Sequence, residues 1–278
     1  MSGSSPVSAD GSPTLQHQTR IEPRTGWSSL DLHELWEYKD LLYFYIIRNV
    51  KGRYRQMALG PLWIVIQPLM QMVLFTIVFG KVAKLPSENI PYPIFTYCAI
   101  IPWMFFANAC KRSVGSLRTQ MGVISKVYFP RLIMPLATTA GAFIDFLISL
   151  VILFGMLIAY GYWPGIEALM LVPLVLMAAM AGIGLGLWGA SLAVRFRDVT
   201  LAAGHGLRFA KFLTPVAYTA TLVPDRFQWL YKLNPMYWVT DGFRWALLGK
   251  GNGPEPYMLI PEAVVQVVFV SGQYVCRR

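Results

Sequence analysis

Cysteine and histidine are scarce in this chain, three of each, and their placement removes most of the chemistry they would otherwise suggest. Cys98 and Cys110 fall in one apolar stretch and Cys276 lies close to the C-terminal end, so no disulfide framework and no C-x-x-C site can be drawn. His17, His33 and His205 are scattered, which argues against a metal site. No G-x-x-x-x-G-K-[ST] loop occurs, so the chain lacks a phosphate cradle and is not expected to hydrolyse ATP itself. H-E-x-x-H and G-x-S-x-G are missing as well. Gly189-Ala190-Ser191 is the nearest approach to a serine nucleophile. Its nearest base, His205, belongs at the end of a different apolar stretch, and a nucleophile needs its base within hydrogen-bond reach. Neither catalytic nor metal-ligating residues are therefore assigned. The first apolar run also begins far from Met1, so no cleavable signal is expected, and residues 1–25 read as a disordered Ser/Gly/Pro/Gln-rich cytoplasmic tail.

What the chain has in abundance is apolar length. Apolar residues make up 55% of it, and six stretches are long enough to cross a bilayer: 59–83, 93–110, 133–160, 166–194, 206–223 and 257–275. The segments between them alternate in charge. Of the 24 Lys and Arg residues, 18 fall in the two tails and in or at the edge of the even-numbered connections. That is the asymmetry of a multi-pass protein with both termini in the cytoplasm. The net charge of +10 and pI near 9.6 are thus a topology signal and a contact for anionic lipids, with no nucleic-acid partner implied. The predicted fold is an all-α integral membrane domain over 59–278, preceded by an amphipathic helix and linker over 26–58.

That preceding helix is legible in its pattern. Ser28 and Asp31 have capping-box-like spacing, and Leu32, Leu35, Trp36, Tyr43, Ile46, Ile47 and Val50 follow at near-helical intervals. Acids (Asp31, Glu34, Glu37) lead and bases (Arg48, Lys51, Arg53, Arg55) end it, the order the helix dipole favours. Its polarity suits a helix lying on the inner membrane face. In the fourth stretch Ala178, Gly182, Gly186 and Ala190 make a small-residue stripe where another helix can approach closely. No internal repeat is visible, which weakens an inverted-repeat transporter.

Polar residues inside apolar stretches are the candidate site. Trp63, Gln67 and Gln71 lie four apart on one face of the first stretch, and an amide in hydrocarbon needs a polar partner. They read equally as a conduit for a hydroxyl-rich substrate and as interhelical glue. Thr214, Tyr218 and Thr221 form a comparable stripe in the fifth stretch. Asp145 and Glu262 are intramembrane carboxylates, open to proton relay, substrate binding or a structural hydrogen bond, with no Lys, Arg or His identified as a partner. The outer connection 224–256 crowds Phe227, Trp229, Tyr231, Tyr237, Trp238, Phe243 and Trp245 together, and Asn234-Pro235 divides it into two helix-capable halves. Such rings serve as an interfacial belt or pack on the C–H faces of sugars.

Five runs in order, RYRQMALGPLWIVIQP (53–68), ISKVYFPRLIMP (124–135), RFRDV (195–199), FLTPVAY (212–218) and LNPMYWVTDGFRWALLG (233–249), resemble the membrane subunits of ABC type-2 exporters that move lipid-linked polysaccharides. The resemblance covers roughly 26–275. It implies a bacterial inner-membrane homodimer of six-span subunits bound to two separate ATPase subunits, which supply ATP and Mg, the chain itself binding no cofactor. It implies that the amphipathic helix and the connection around 111–131, with Glu34, Trp36, Arg118 and Lys126, dock the ATPase. The first and fifth spans then line the pathway through Trp63, Gln67, Gln71, Thr214, Tyr218 and Thr221. The segment 224–249, with Asn234, Pro235, Tyr237, Trp238, Phe243 and Trp245, would form re-entrant gate helices at the outer face. A polyprenyl-diphosphate-linked O-antigen is the first substrate expectation, with capsule and teichoic-acid glycans behind it. Two other readings stand beside this one. A membrane-embedded glycan transferase would need an acidic or metal-binding cluster that the scattered loop acids do not supply. An ion-coupled transporter would depend on Asp145 without any ATPase.

Overall fold

A computed structural model of the chain describes residues 36–54, 62–119, 122, 132–249 and 259–277. Every regular element among the described residues is helical. Helix α1 (Lys39–Tyr54) precedes α2 (Leu62–Phe75), which continues as a wider π-helical stretch over Thr76–Val82. Then come α3 (Tyr92–Thr119), α4 (Ile133–Ala159) and α5 (Leu171–Arg195), the last entered through a short 3₁₀ turn at Ile166–Met170. After them follow α6 (Asp198–Ala210), α7 (Asp225–Lys232), α8 (Pro235–Leu248) and α9 (Leu259–Arg277).

Among the described residues, four helical stretches are long and apolar enough to cross a membrane: Leu62–Val82, Tyr92–Thr119, Ile133–Ala159 and Ile166–Arg195. At 1.5 Å per residue α4 alone is about 40 Å long, more than the roughly 30 Å hydrocarbon core. These four coincide with the first four predicted stretches, except that α3 runs on to Thr119 where the sequence pattern ends at 110. The predicted sixth stretch, 257–275, is α9, whose apolar described part is the shorter Ala263–Gln273. The predicted fifth stretch, 206–223, is not one helix. α6 stops at Ala210, and 211–219 is a run of turns and bends. Pro215 supplies the reason. It has no N–H to donate to the carbonyl four residues back, its ring crowds that carbonyl in a helix, and it disfavours the helical region at the residue before it.

The core is built around α3, which is buried for most of its length, whereas α2 buries almost none of its own. Helix α3 packs against α2, α4, α5 and α8. The close approach of α5 depends on the predicted small-residue stripe: a Cβ on Gly186 would stand 2.3 Å from Ser113 Cβ, and one on Gly182 would stand 3.0 Å from the Phe106 carbonyl oxygen. On its far side α5 meets α9 at Gly272, where a Cβ would lie 2.9 Å from the Gly184 carbonyl oxygen. Helix α1 lies against α4, with Leu42, Tyr45 and Ile46 turned inward and Tyr43, Phe44 and Trp36 exposed. The buried face is therefore rotated from the one the apolar spacing suggested through Tyr43. Leu32, Glu34, Leu35, Lys126 and Arg131 lie outside the described residues.

A pair of substitutions checks this packing. Gly186→Ala should destabilise the chain by about 1–3 kcal/mol through overpacking against Ser113. Gly155→Ala, whose Cβ meets nothing within 4 Å, should be neutral or stabilising by up to about 1 kcal/mol because it removes a helix glycine. Thermal unfolding in mild detergent measures both.

Candidate functional site: polar contacts among the membrane helices

Non-helical backbone in an apolar surrounding leaves its carbonyls without ladder partners, and each must find a donor elsewhere. In 211–219 six of the nine do, among the described residues. Tyr218 Oη donates to the Phe212 carbonyl at 3.1 Å, and the Val216 amide to that of Thr214 at 2.7 Å. Arg244, reaching from α8, donates Nη2 to the Val216 carbonyl at 2.9 Å and Nη1 to that of Tyr218 at 3.2 Å. The Tyr92 hydroxyl, at the start of α3, donates to the Ala217 carbonyl between them. The Leu222 amide takes the Thr219 carbonyl at 3.2 Å. Asn234 completes the knot: its Nδ2 donates to Thr214 Oγ1 at 3.0 Å while its Oδ1 caps α8 by accepting from the Met236 amide at 3.0 Å. Pro235 in the first turn needs no donor there. The guanidinium of Arg244 is buried and stacks on the Phe95 ring, 3.8 Å from its centroid. A planar fork with several donors suits this task, which one ammonium could not perform.

Two further cations stand among the long helices. Arg112 Nη2 donates to Asp145 Oδ2 at 2.5 Å, with both side chains largely buried. Lys211 Nζ donates to Gln71 Oε1 at 2.5 Å and stands 4.3 Å over the Phe75 ring centroid. The expectation that Asp145 has no intramembrane cation partner is thus corrected. Because α3 continues past 110, Arg112 stays on the helix and faces α4. Beside this pair a cavity of 230 Å³ opens between α2, α3 and α4, with Trp63, Gln67, Asn108, Arg112, Asp145 and Ser149 among its walls.

The predicted pathway residues therefore separate into two groups. Trp63 and Gln67 line the α2–α3–α4 cavity and are exposed, while Gln71 is tied to Lys211. Thr214, Tyr218 and Thr221 do not share a helical face, because the helix has ended before them. Thr214 is buried against Asn234, Tyr218 meets the Tyr231 hydroxyl at 3.1 Å, and Thr221 pairs with Thr219 at 2.9 Å. Trp36 and Arg118 are exposed. The outer segment divides at Asn234-Pro235 into α7 and α8, as the sequence predicts. Its rings divide too. Phe227 and Trp229 on α7 are exposed, Trp245 is half-buried, and Tyr237, Trp238 and Phe243 are packed in the core. Trp238 Nε1 donates to the Lys232 carbonyl at 2.8 Å, and Phe243 meets Phe146 edge-on at 6.4 Å.

Arg112, Lys211 and Arg244 escaped the sequence reading as site residues. A signal was present, since Lys211 stands inside the predicted fifth stretch and Arg244 inside an aromatic run, and cations in such places are functional or structural anchors by default.

Long apolar helices, a polar-clamped break and charges paired between helices define a multi-pass membrane protein. A family model described as ABC-2 type transporter matches residues 41–248, and the chain belongs to that family. It is 27% identical over 242 residues to the O-antigen export system permease protein RfbA of Myxococcus xanthus, covering 86% of this chain and 92% of the relative. It is 27% identical over 198 residues to the RfbA protein of Klebsiella pneumoniae, covering 71% and 76%. The polysialic acid transport protein KpsM of Escherichia coli is 24% identical over 208 residues, 73% of this chain and 79% of the relative. These relatives are transport proteins, in keeping with a transporter subunit rather than an enzyme.

Arg244 should be the most sensitive residue of the knot. Arg244→Leu should cost about 3–5 kcal/mol, because buried carbonyls and Asp241 lose their cation. Arg244→Lys should recover less than half of that, since the ammonium cannot reach both carbonyls with fork geometry. Chemical denaturation of the three proteins in detergent, with exposed Arg208→Leu as a neutral control, measures the order.

Proposed function

We propose that this chain is the transmembrane subunit of an ATP-driven exporter that moves lipid-linked polysaccharide, of O-antigen type, across the bacterial inner membrane. The observation that carries the reading is the match to the Myxococcus O-antigen permease over nearly the full length of both chains. The weaker match to KpsM keeps capsule-type glycans as the next substrate class.

In this reading two copies pair, each bound to an ATPase subunit that holds ATP and Mg²⁺. Six spans put both termini in the cytoplasm, where the basic segments lie. Helix α1 and the region around 111–131, with Glu34, Trp36, Arg118 and Lys126, receive the stroke of the ATPase. Support comes from the exposure of Trp36 and Arg118 and from the apolar outer face of α2, where Leu62, Met70, Val73 and Leu74 stay uncovered in the single chain. A contiguous apolar face of this kind is where a second copy or lipid belongs. Helices α7 and α8 form the outer gate. With Tyr237, Trp238 and Phe243 packed inside, α8 is its anchor, and the exposed rings of Phe227 and Trp229 meet the passing sugar. The ion pair with Arg112 accounts for Asp145 structurally, so an ion-coupled mechanism gains no support from that carboxylate.

Two experiments test the assignment. Purified alone, the chain should hydrolyse no ATP, while co-expression with a nucleotide-binding subunit should yield a complex that does. Arg118→Glu should weaken that assembly, and unchanged assembly would remove Arg118 from the docking surface. In a surface-glycan assay Gln67→Leu should lower export with folded dimer retained. Gln71→Leu should instead lose about 1–3 kcal/mol of stability, because Lys211 is left without its acceptor. Equal, wild-type export by both variants would refute the conduit assignment.

A further inference from the structure

Three pairs of polar or aromatic side chains, each pair spaced four residues apart, converge on the α2–α3–α4 cavity: Trp63 and Gln67 from α2, Asn108 and Arg112 from α3, Asp145 and Ser149 from α4. That spacing puts each pair on one face of its helix. The walls on α3 and α4 lie about half-way along both helices, deeper than a resident lipid headgroup sits and at a depth any exported chain must pass. Arg112 and Asp145 are engaged with each other and with further partners, and the Ser149 hydroxyl donates to the Asp145 carbonyl at 3.0 Å. The amides of Gln67 and Asn108 differ. Among the described residues neither has a hydrogen-bond partner. An amide left unmatched at this depth is costly, so the cavity calls for an occupant that forms hydrogen bonds.

We propose that this cavity holds one pyranose ring of the exported glycan, with Trp63 against its apolar C–H face and the amides of Gln67 and Asn108 on neighbouring hydroxyls. The amides select the chemistry. Each carries donors and an acceptor side by side, as do hydroxyls on adjacent ring carbons, whereas a phosphate would use only their donors and a metal ion only their acceptors. Trp63 selects a ring, because the flat apolar body of the indole packs on a flat apolar face. Size limits the occupant to one. The cavity's 230 Å³ falls below the roughly 300–1,000 Å³ of sites for drug-sized ligands, so a single sugar enters while its neighbours in the chain stay outside. Entry is from the side of α2, which buries almost none of its length and leaves Trp63 and Gln67 exposed at the rim. All three walls come from one subunit, so the site reads a hydroxyl pattern without a second copy. This inference rests on the glycan reading of the proposed function and adds to it a place where sugar identity is checked.

The test uses the full chain in lipid nanodiscs without any ATPase. Methyl glycosides of the common hexopyranoses and deoxyhexopyranoses are observed by saturation-transfer NMR, with tetrahydropyran and glycerol as controls. At least one glycoside should bind, with the strongest saturation on the protons of one ring face, and neither control should. Asn108→Leu should weaken that binding about tenfold, the order expected when a hydrogen bond is left unmade. Trp63→Leu should weaken it by a similar factor, and because Trp63 is exposed it decides the matter if Asn108→Leu does not fold. Gly155→Ala, which does not line the cavity, should bind as the wild type does. Failure of every glycoside to bind would leave the cavity to water and overturn the proposal. Binding of tetrahydropyran as tightly as any sugar, or glycoside binding unchanged in both leucine variants, would overturn it too. ATP-dependent export that continues in a chain binding no glycoside would refute this site and leave the proposed function standing. Glycoside binding by a chain that exports nothing with its ATPase would do the reverse.

Discussion

The satisfaction of backbone carbonyls in 211–219 is the constraint on which the outer half of this molecule depends. A helix crossing a membrane satisfies its own polar backbone, and a broken one must borrow donors. Here Arg244 from α8, Tyr92 from α3 and the Tyr218 side chain supply them. Asn234 ties the same turn to the start of α8. The donors come from both sides of the break, so the turn fixes α8 against α3. Each buried donor left unmatched would cost about 1–3 kcal/mol, more when charged. The arrangement is therefore cooperative, and loosening one contact exposes the others.

The second organising feature is the burial of α3. Its small and polar residues let α5 approach at Gly186 and place Arg112 against α4. Helix α2, by contrast, is held on one side only. A subunit with one well-packed center and one lightly packed helix has the mechanical contrast that a transporter needs: a rigid body that transmits force and an element free to move or to meet a second copy. The contact between Lys211 and Gln71 joins that light helix to the broken segment. That contact ties α2 to the turn that Arg244 holds.

Much of the fold was legible because long apolar runs and small-residue spacing are local signals. The first four spans, the Gly182 and Gly186 stripe and the Asn234-Pro235 division needed no knowledge of tertiary contacts. Two kinds of feature were not. The end of α6 depends on Pro215 acting inside a run apolar enough to read as a span, a case where hydropathy outvoted backbone sterics. The ion pair of Arg112 with Asp145, 33 residues apart, and the contact of Lys211 with Gln71, 140 residues apart, depend on helix packing that no short window contains. Of the candidate site, Trp63, Gln67 and Asp145 were found from polarity alone and meet at one cavity. Tyr237, Trp238 and Phe243 were read as belt or gate rings, and their burial in the single chain was not legible because aromatic crowding looks the same in a belt and in a core.

Family membership, the clamped break and the charges paired between helices together describe a transporter subunit whose fifth predicted span is interrupted by design of its sequence. Single-cysteine accessibility along 211–222, in membranes, tests that interruption most directly. The account predicts a protected block at Thr214, Pro215, Val216 and Ala217, flanked by accessible Phe212, Leu213, Thr221 and Leu222. Four consecutive protected positions cannot lie on one face of a helix. Accessibility that instead rises and falls every three to four residues across the whole segment would mean a continuous helix, and would contradict the role given to Arg244.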